Sequence, residues 1–380
     1  MAQIRTPRVY YAEPEALDKL GAFATTLGGR AYIVAGHNAW GVAGEKVTAQ
    51  LAAEGIEWQQ EEYASFPSEA DARAIAERAR LAKAEFIIGV GGGRALDVSK
   101  LAASYLGVFH IAVPTIAATC AAFAACVVLY DTEGAAVGFD LPDYSPIAVF
   151  ADTAILAAAP LRYLKAGLAD TLAKWYENLP NLLYSDSLLT HQQLNDAHLA
   201  LDTIRKHAPV VLEQLKGATP EQAAEIGAGT PFKELVDTII LMAGLVGSIT
   251  ANTEYHGLAH PFYTGATYVP ATRTYLHGER VSFGLFAQSV ALKDSAELQE
   301  ELLGLLSLLD QPVTFAQIGI TEDLEQAAHT IAKNTLGAFS SFEVDGKVPS
   351  VEQLQAIYLE TDLRGREYLK AHGTGEGAVS

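Results

Sequence analysis

Short apolar runs alternate with stretches of helix-forming residues through the first part of the chain. Ala31–Ala35 (A-Y-I-V-A) predicts a strand ending at Gly36, and Asn38–Glu54 the helix after it. Ile56–Tyr63 predicts a second strand, more polar and so nearer a sheet edge. Ser68 opens a helix through Lys83, with Glu69 and Asp71 in its first turn, where the helix dipole favours acids. Phe86–Lys100 (F-I-I-G-V-G-G-G-R-A-L-D-V-S-K) then runs from a buried strand through Gly91, Gly92 and Gly93 into another helix. Val108–Val113 predicts a strand, followed by a loop of small residues. Val127–Tyr130 and Ala135–Phe139 flank a hairpin turn, and Ile147–Phe150 is expected to close the sheet. Strands alternating with helices in this way imply a mostly parallel sheet, with ligands at the carboxyl ends of the strands.

After about residue 155 helical periodicity takes over. Helices are predicted over Leu161–Asn178, His191–His207, Glu221–Ile226, Lys233–Glu254, Glu279–Leu292, Glu297–Leu309, Thr321–Thr335 and Val351–Tyr368. The expected fold class is therefore α/β plus all-α. A Rossmann-like parallel-sheet domain spans 1–155 and a helical domain 156–380, with a frayed Gly-rich tail at Gly373–Ser380.

Composition narrows the function. The chain has 380 residues and a net charge of −19, a poor match for nucleic acid or an anionic membrane. Val108–Tyr130 is long and apolar enough to suggest a membrane span, but it holds His110, Pro114, Thr115 and Thr119 within the strand–helix alternation. No signal peptide is evident, and Cys120 and Cys126 make neither a disulfide framework nor a metal pattern, so a reducing cytoplasm is expected.

Two stretches carry candidate chemistry. The three-glycine turn lets an anion approach unpaired N–H groups at a helix start, although it departs from the dinucleotide fingerprint by having Arg94 where a glycine would stand. The second signal is Asp170, in A-G-L-A-D-T-L-A-K-W-Y-E, with His260 in G-L-A-H-P and His277 in L-H-G-E. A carboxylate and two imidazoles make a three-ligand metal site with room for a substrate oxygen. Their spacing does not assemble them, and His256 competes with His260, since four residues separate the two and could place them on one helix face.

In order along the chain, G-G-G-R-A-L-D-V-S-K, P-T-I-A-A-T, G-L-A-D-T-L-A-K-W-Y-E, G-L-A-H and H-G-E-R-V-S-F-G resemble the iron-containing alcohol dehydrogenases on their glycerol dehydrogenase branch. The resemblance runs from roughly residue 5 to 370 and implies the dehydroquinate synthase-like architecture of a nucleotide-binding domain and a helical domain around a cleft. It implies a divalent metal, Zn2+ or Fe2+, on Asp170, His260 and His277, acting as a Lewis acid during hydride exchange with NADP or NAD. Gly92, Gly93 and Asp97 would face the pyrophosphate, and Thr115, Val128 and Tyr130 the nicotinamide.

Three positions depart from the branch. Cys120 stands where an aspartate would touch a polyol, and His37 where an acid would hold the adenosine ribose, which makes NADP at least as fitting as NAD. Lys174 lies one helical turn after Asp170; either it pairs with Asp170 or Glu177, or it holds a substrate carboxylate. T-C-A-A with D-T-L-A-K-W-Y-E is most similar to hydroxycarboxylate dehydrogenases. The expectation is a homo-oligomeric oxidoreductase for 2-oxo and 2-hydroxy acids. An NAD-dependent polyol dehydrogenase, a dehydroquinate synthase-like lyase and an inactive nucleotide-binding relative are the alternatives.

Overall fold

A computed structural model describes residues 3–250, 255–338 and 341–372. Its N-terminal part is a six-stranded, all-parallel sheet. The strands are β1 (Val9–Glu13), β2 (Arg30–Ala35), β3 (Glu57–Glu62), β4 (Phe86–Gly91), β5 (Phe109–Pro114) and β8 (Ala148–Asp152), with β6 (Val127–Tyr130) and β7 (Ala136–Asp140) forming a separate antiparallel hairpin. The spatial order is β1-β8-β5-β4-β2-β3. β4 is buried along its whole length, as a central strand covered on both faces must be, whereas β3 (E-W-Q-Q-E-E) is mostly exposed and occupies the expected edge. The opposite edge corrects the sequence reading. Ile147–Phe150 belongs to β8, which lies inside the sheet, and the closing strand is β1, whose half-buried V-Y-Y-A-E gives too short a pattern to stand out.

The crossover helices α1 (His37–Ala53), α2 (Glu69–Leu81) and α3 (Gly93–Leu106) lie at the expected places, and Ser68 caps α2 by accepting the Asp71 N–H. At the head of α3, Gly91 adopts φ 149°, a region that disfavours side chains, and Gly92 is the N-cap. A Cβ on Gly92 would fall 2.6 Å from Ile116 Cδ1, so the turn stays open only because it is glycine. Thr115 N–H, just past β5, donates to Gly91 O (3.1 Å) and ties the next strand to this turn.

Beyond β8 the described chain is almost entirely helical. The predicted helix Lys233–Glu254 is broken up. Thr230–Asp237 leads through a wider π turn, Thr238–Met242, to Ala243–Ser248, and Ile249–Thr250 then pairs antiparallel with Gln3–Ile4. Positions 251–254 and the expected tail fall outside the described residues. The predicted helix His191–His207 extends over Leu188–Leu215 and includes Pro209. Three helices position the candidate chemistry: α4 (Leu161–Tyr176), α5 (Ala259–Ala266), which the sequence pattern had not revealed, and α6 (His277–Ala291). Glycine draws α6 onto both others. A Cβ on Gly278 would lie 1.9 Å from Ala166 O on α4, and one on Gly284 2.7 Å from Ala259 Cα on α5. No helix among the described residues is long and apolar enough to cross a membrane.

Candidate active site

The close packing of α4, α5 and α6 brings Asp170, His260 and His277 together. Asp170 faces inward from α4 and is 2% exposed. His260 is the second residue of α5 and His277 the first of α6. The Nε2 atoms of His260 and His277 lie 3.3 and 3.2 Å from Asp170 Oδ1, and one ligand atom from each residue falls within a 4.8 Å cluster. Asp170 Oδ1 is sealed from solvent, yet it accepts no hydrogen bond. A buried carboxylate oxygen without a donor, facing two imidazole nitrogens, fits a divalent cation. The side chains of His260 and His277 keep 20% and 22% exposure, so the cluster has an open side.

The electrostatics favour the ligating forms of Asp170 and His277. Burial alone would raise the Asp170 carboxyl, but Lys174, His277 and His260 outweigh it and hold the group well below the usual carboxylate range. Burial lowers His277 despite the opposing pull of Asp170, which keeps its imidazole neutral and able to ligate. His260 differs. Burial works against its charge, but Glu177 outweighs that and raises it to about 9. Glu177, which the sequence offers only as a possible partner of Lys174, meets His260 instead and could orient it as a ligand. It is 1% exposed, accepts the His260 backbone N–H through Oε1 (2.8 Å) and meets His260 Nδ1 through Oε2 (2.5 Å). A proton on Nδ1 leaves Nε2 free to bind a metal, the carboxylate–histidine arrangement of metal sites. Its spacing from Asp170, seven residues and so two helical turns, was the available signal.

The rival histidine stands apart. His256 precedes α5 and shares no helix face with His260; its ring stacks on Tyr184 (3.7 Å between centroids), and its Nδ1 lies 3.1 Å from Ser341 O.

Lys174 makes no hydrogen bond or ion pair through its ammonium among the described residues, so the helical salt bridges open to it on spacing alone are not formed. Burial opposes its charge, but Asp170, Cys120 and Glu177 overcome that and keep it protonated. Cys120, at the head of a short helical turn after Thr119, is near enough for Lys174 to pull its thiol down, although burial prevails and raises it.

Of the cofactor candidates, His37, Gly92 and Thr115 follow the carboxyl ends of parallel strands, while Val128 and Tyr130 lie on the hairpin. Gly92 and Gly93 form the open turn. The Asp97 carboxylate is engaged within the fold, by Lys100 Nζ (3.2 Å) and the Val128 N–H (3.3 Å). Tyr130, at the end of β6, has its hydroxyl 2.5 Å from that of Tyr263 on α5, whose ring packs edge-on against His277 (4.2 Å). His37 is exposed at the start of α1, with Nδ1 2.9 Å from Glu62 Oε2 at the end of β3. An acid therefore stands beside the expected ribose position after all, contributed by another strand, where a reading of the residues around His37 could not find it.

Known proteins resemble this chain in sequence and in fold. Residues 11–160 match the family model described as iron-containing alcohol dehydrogenase. Hydroxycarboxylate dehydrogenase A of Escherichia coli (strain K12) is 30% identical over 278 residues, covering 73% of this chain and 74% of that protein. Glycerol dehydrogenase of Pseudomonas putida is 28% identical over 377 residues, covering 97% and 99%. The crystal structure of a probable glycerol dehydrogenase from Sinorhizobium meliloti 1021 shares the fold, with a TM-score of 0.84 at 22% identity over 96% of this chain and 99% of that one. The chain belongs to the iron-containing alcohol dehydrogenase family and is an oxidoreductase of small molecules whose family works with a nicotinamide dinucleotide and a divalent metal.

Proposed function

We propose that this enzyme interconverts small 2-oxo acids and 2-hydroxy acids. Asp170, His260 and His277 hold the metal, whether Zn2+ or Fe2+, since the ligand set suits both. When bound, the ion supplies Lewis-acid polarisation of the substrate oxygen and the dinucleotide supplies or accepts the hydride. Glu177 fixes the His260 tautomer. Gly92 and Gly93 leave the amides at the head of α3 open to the pyrophosphate. Thr115, Val128 and Tyr130 border the nicotinamide, and Cys120 lines the substrate side. Domain 1–155 carries the dinucleotide and domain 156–380 the metal. A reducing cytoplasm, in which Cys120 and Cys126 stay thiols, is part of this reading.

The observation that carries the substrate class is the unpaired ammonium of Lys174, one helical turn from Asp170. In this reading it would hold the substrate carboxylate, and the metal, when bound, would polarise the keto oxygen. A charge-assisted bond of that kind contributes roughly 1.5–3 kcal/mol, or about 10- to 100-fold in catalytic efficiency. A polyol dehydrogenase is the second reading, drawn from the printed name of the Pseudomonas putida relative. Cys120 speaks against it, because a neutral thiol is a poor acceptor for polyol hydroxyls.

The test is steady-state turnover of 2-oxo acids, neutral carbonyls of similar size and polyols, by wild type and Lys174→Ala. The proposal expects the variant to lose about 10- to 100-fold on 2-oxo acids alone. Equal losses on acid and neutral substrates would make Lys174 a structural residue. Best activity of the wild type on polyols would favour the second reading.

A further inference from the structure

Arg280 is a buried cation that the metal cluster leaves unexplained. It lies three residues after His277 on α6 and is 7% exposed. Its guanidinium makes no hydrogen bond or ion pair among the described residues, and Nε is sealed from solvent without a partner. The Nη atoms are not sealed in this way and keep some access to solvent. Cζ lies 4.7 Å from the centroid of the Tyr263 ring. That ring in turn meets His277 at 4.2 Å, and its hydroxyl meets Tyr130.

The acids around it are committed elsewhere. Glu279 holds Arg162 through both oxygens and accepts the Leu276 N–H. Asp97 holds Lys100, and Asp170 faces the two imidazoles. A guanidinium does not deprotonate in a protein, so Arg280 stays charged. Burying an unpaired charge is costly, and a single cation–π contact offsets only part of that cost. The planar fork matches the two oxygens of a carboxylate or a phosphate.

We propose that Arg280 is a second anion-binding residue of this site, taking an oxyanion of the bound ligand on the Tyr263 side of the metal cluster. Lys174 approaches from α4 beside Cys120, Arg280 from α6 beside Tyr263 and Tyr130, so a ligand in the site meets positive charge from two helices. Two sources present such an oxyanion: a carboxylate of the substrate and a phosphate of the dinucleotide. The inference rests on the proposed function for the location of the site, but not for the substrate.

Direct binding to the metal-loaded enzyme tests it, with wild type, Arg280→Met and Arg280→Lys compared after metal content and thermal stability are checked. One arm titrates oxamate, a non-reducible isostere of a 2-oxo acid, into enzyme saturated with reduced dinucleotide. The other titrates NADH and NADPH alone, followed by fluorescence. Arg280→Met is expected to bind about 10- to 100-fold more weakly in one arm, with partial recovery in Arg280→Lys. The arm that weakens identifies the source. Unchanged affinity in both arms overturns the proposal. If Arg280→Met does not fold, Arg280→Lys decides alone: its loss of the fork is expected to weaken one arm, and wild-type affinity in both overturns the proposal. Wild type that ignores oxamate while Arg280→Met loses dinucleotide would sink the 2-oxo acid reading and leave Arg280 as a cofactor residue.

Discussion

At the scale of single residues, function is decided by partners, and partners are what the sequence hides. Asp170, His260 and His277 were legible through resemblance, because their motifs occur in order. Glu177 and Arg280 sit in the same motifs but gain meaning only from a contact or the lack of one. Glu177→Gln keeps the shape and removes the charge that raises His260. Metal affinity is expected to fall on the order of 10- to 100-fold, measured by chelator competition. His37 is a second case, since its imidazole already meets Glu62. NADPH is expected to be used at least as well as NADH, with its 2′-phosphate replacing Glu62 as the partner of His37. Glu62→Gln should raise efficiency with NADPH, and His37→Asp should swing preference to NADH; a wild type that strongly prefers NADH would remove His37 from this role. His110 shows the same dependence in stability. Burial first, then Lys100, lowers it to about 3, with Nε2 beside Ser99 Oγ (2.9 Å). The unfolded chain takes up a proton near pH 6.5 that the folded chain refuses until about 3. The stabilisation is therefore full above pH 6.5 and is lost as pH falls, by roughly 2 kcal/mol between pH 6.5 and 5. Denaturation of His110→Asn should lack this one-proton slope.

At the scale of elements, periodicity predicted most strands and helices to within a residue or two, because their apolar faces are simple. It missed β1, which is five residues long and only half-buried, and α5, whose A-H-P-F-Y-T-G-A is too short to show a period. It also merged two helices across the π turn at Thr238–Met242, where the apolar pattern continues although the backbone ladder changes. The missed α5 mattered most, because its start separates His260 from His256. The ligand geometry itself depends on how closely α6 approaches α4. Gly278→Ala would place a methyl against Ala166 O, a backbone atom that cannot turn aside. About 1–3 kcal/mol of stability should be lost, seen as a lower Tm, together with weaker metal binding through the shifted His277.

At the scale of the whole molecule, the strand–helix alternation followed by helices announced the two-part architecture. What no local pattern conveys is that residues more than 100 positions apart meet at one point, where the carboxyl ends of the sheet face the helices. Asp170, His260 and His277 are proposed to form one metal site in which His256 has no part. Metal content per chain, measured by elemental analysis on folded wild type, His260→Ala, His277→Ala and His256→Ala, tests this most directly. Bound metal is expected to be lost in His260→Ala and His277→Ala and retained in His256→Ala. Full occupancy in the first two, or loss in the third, would contradict it.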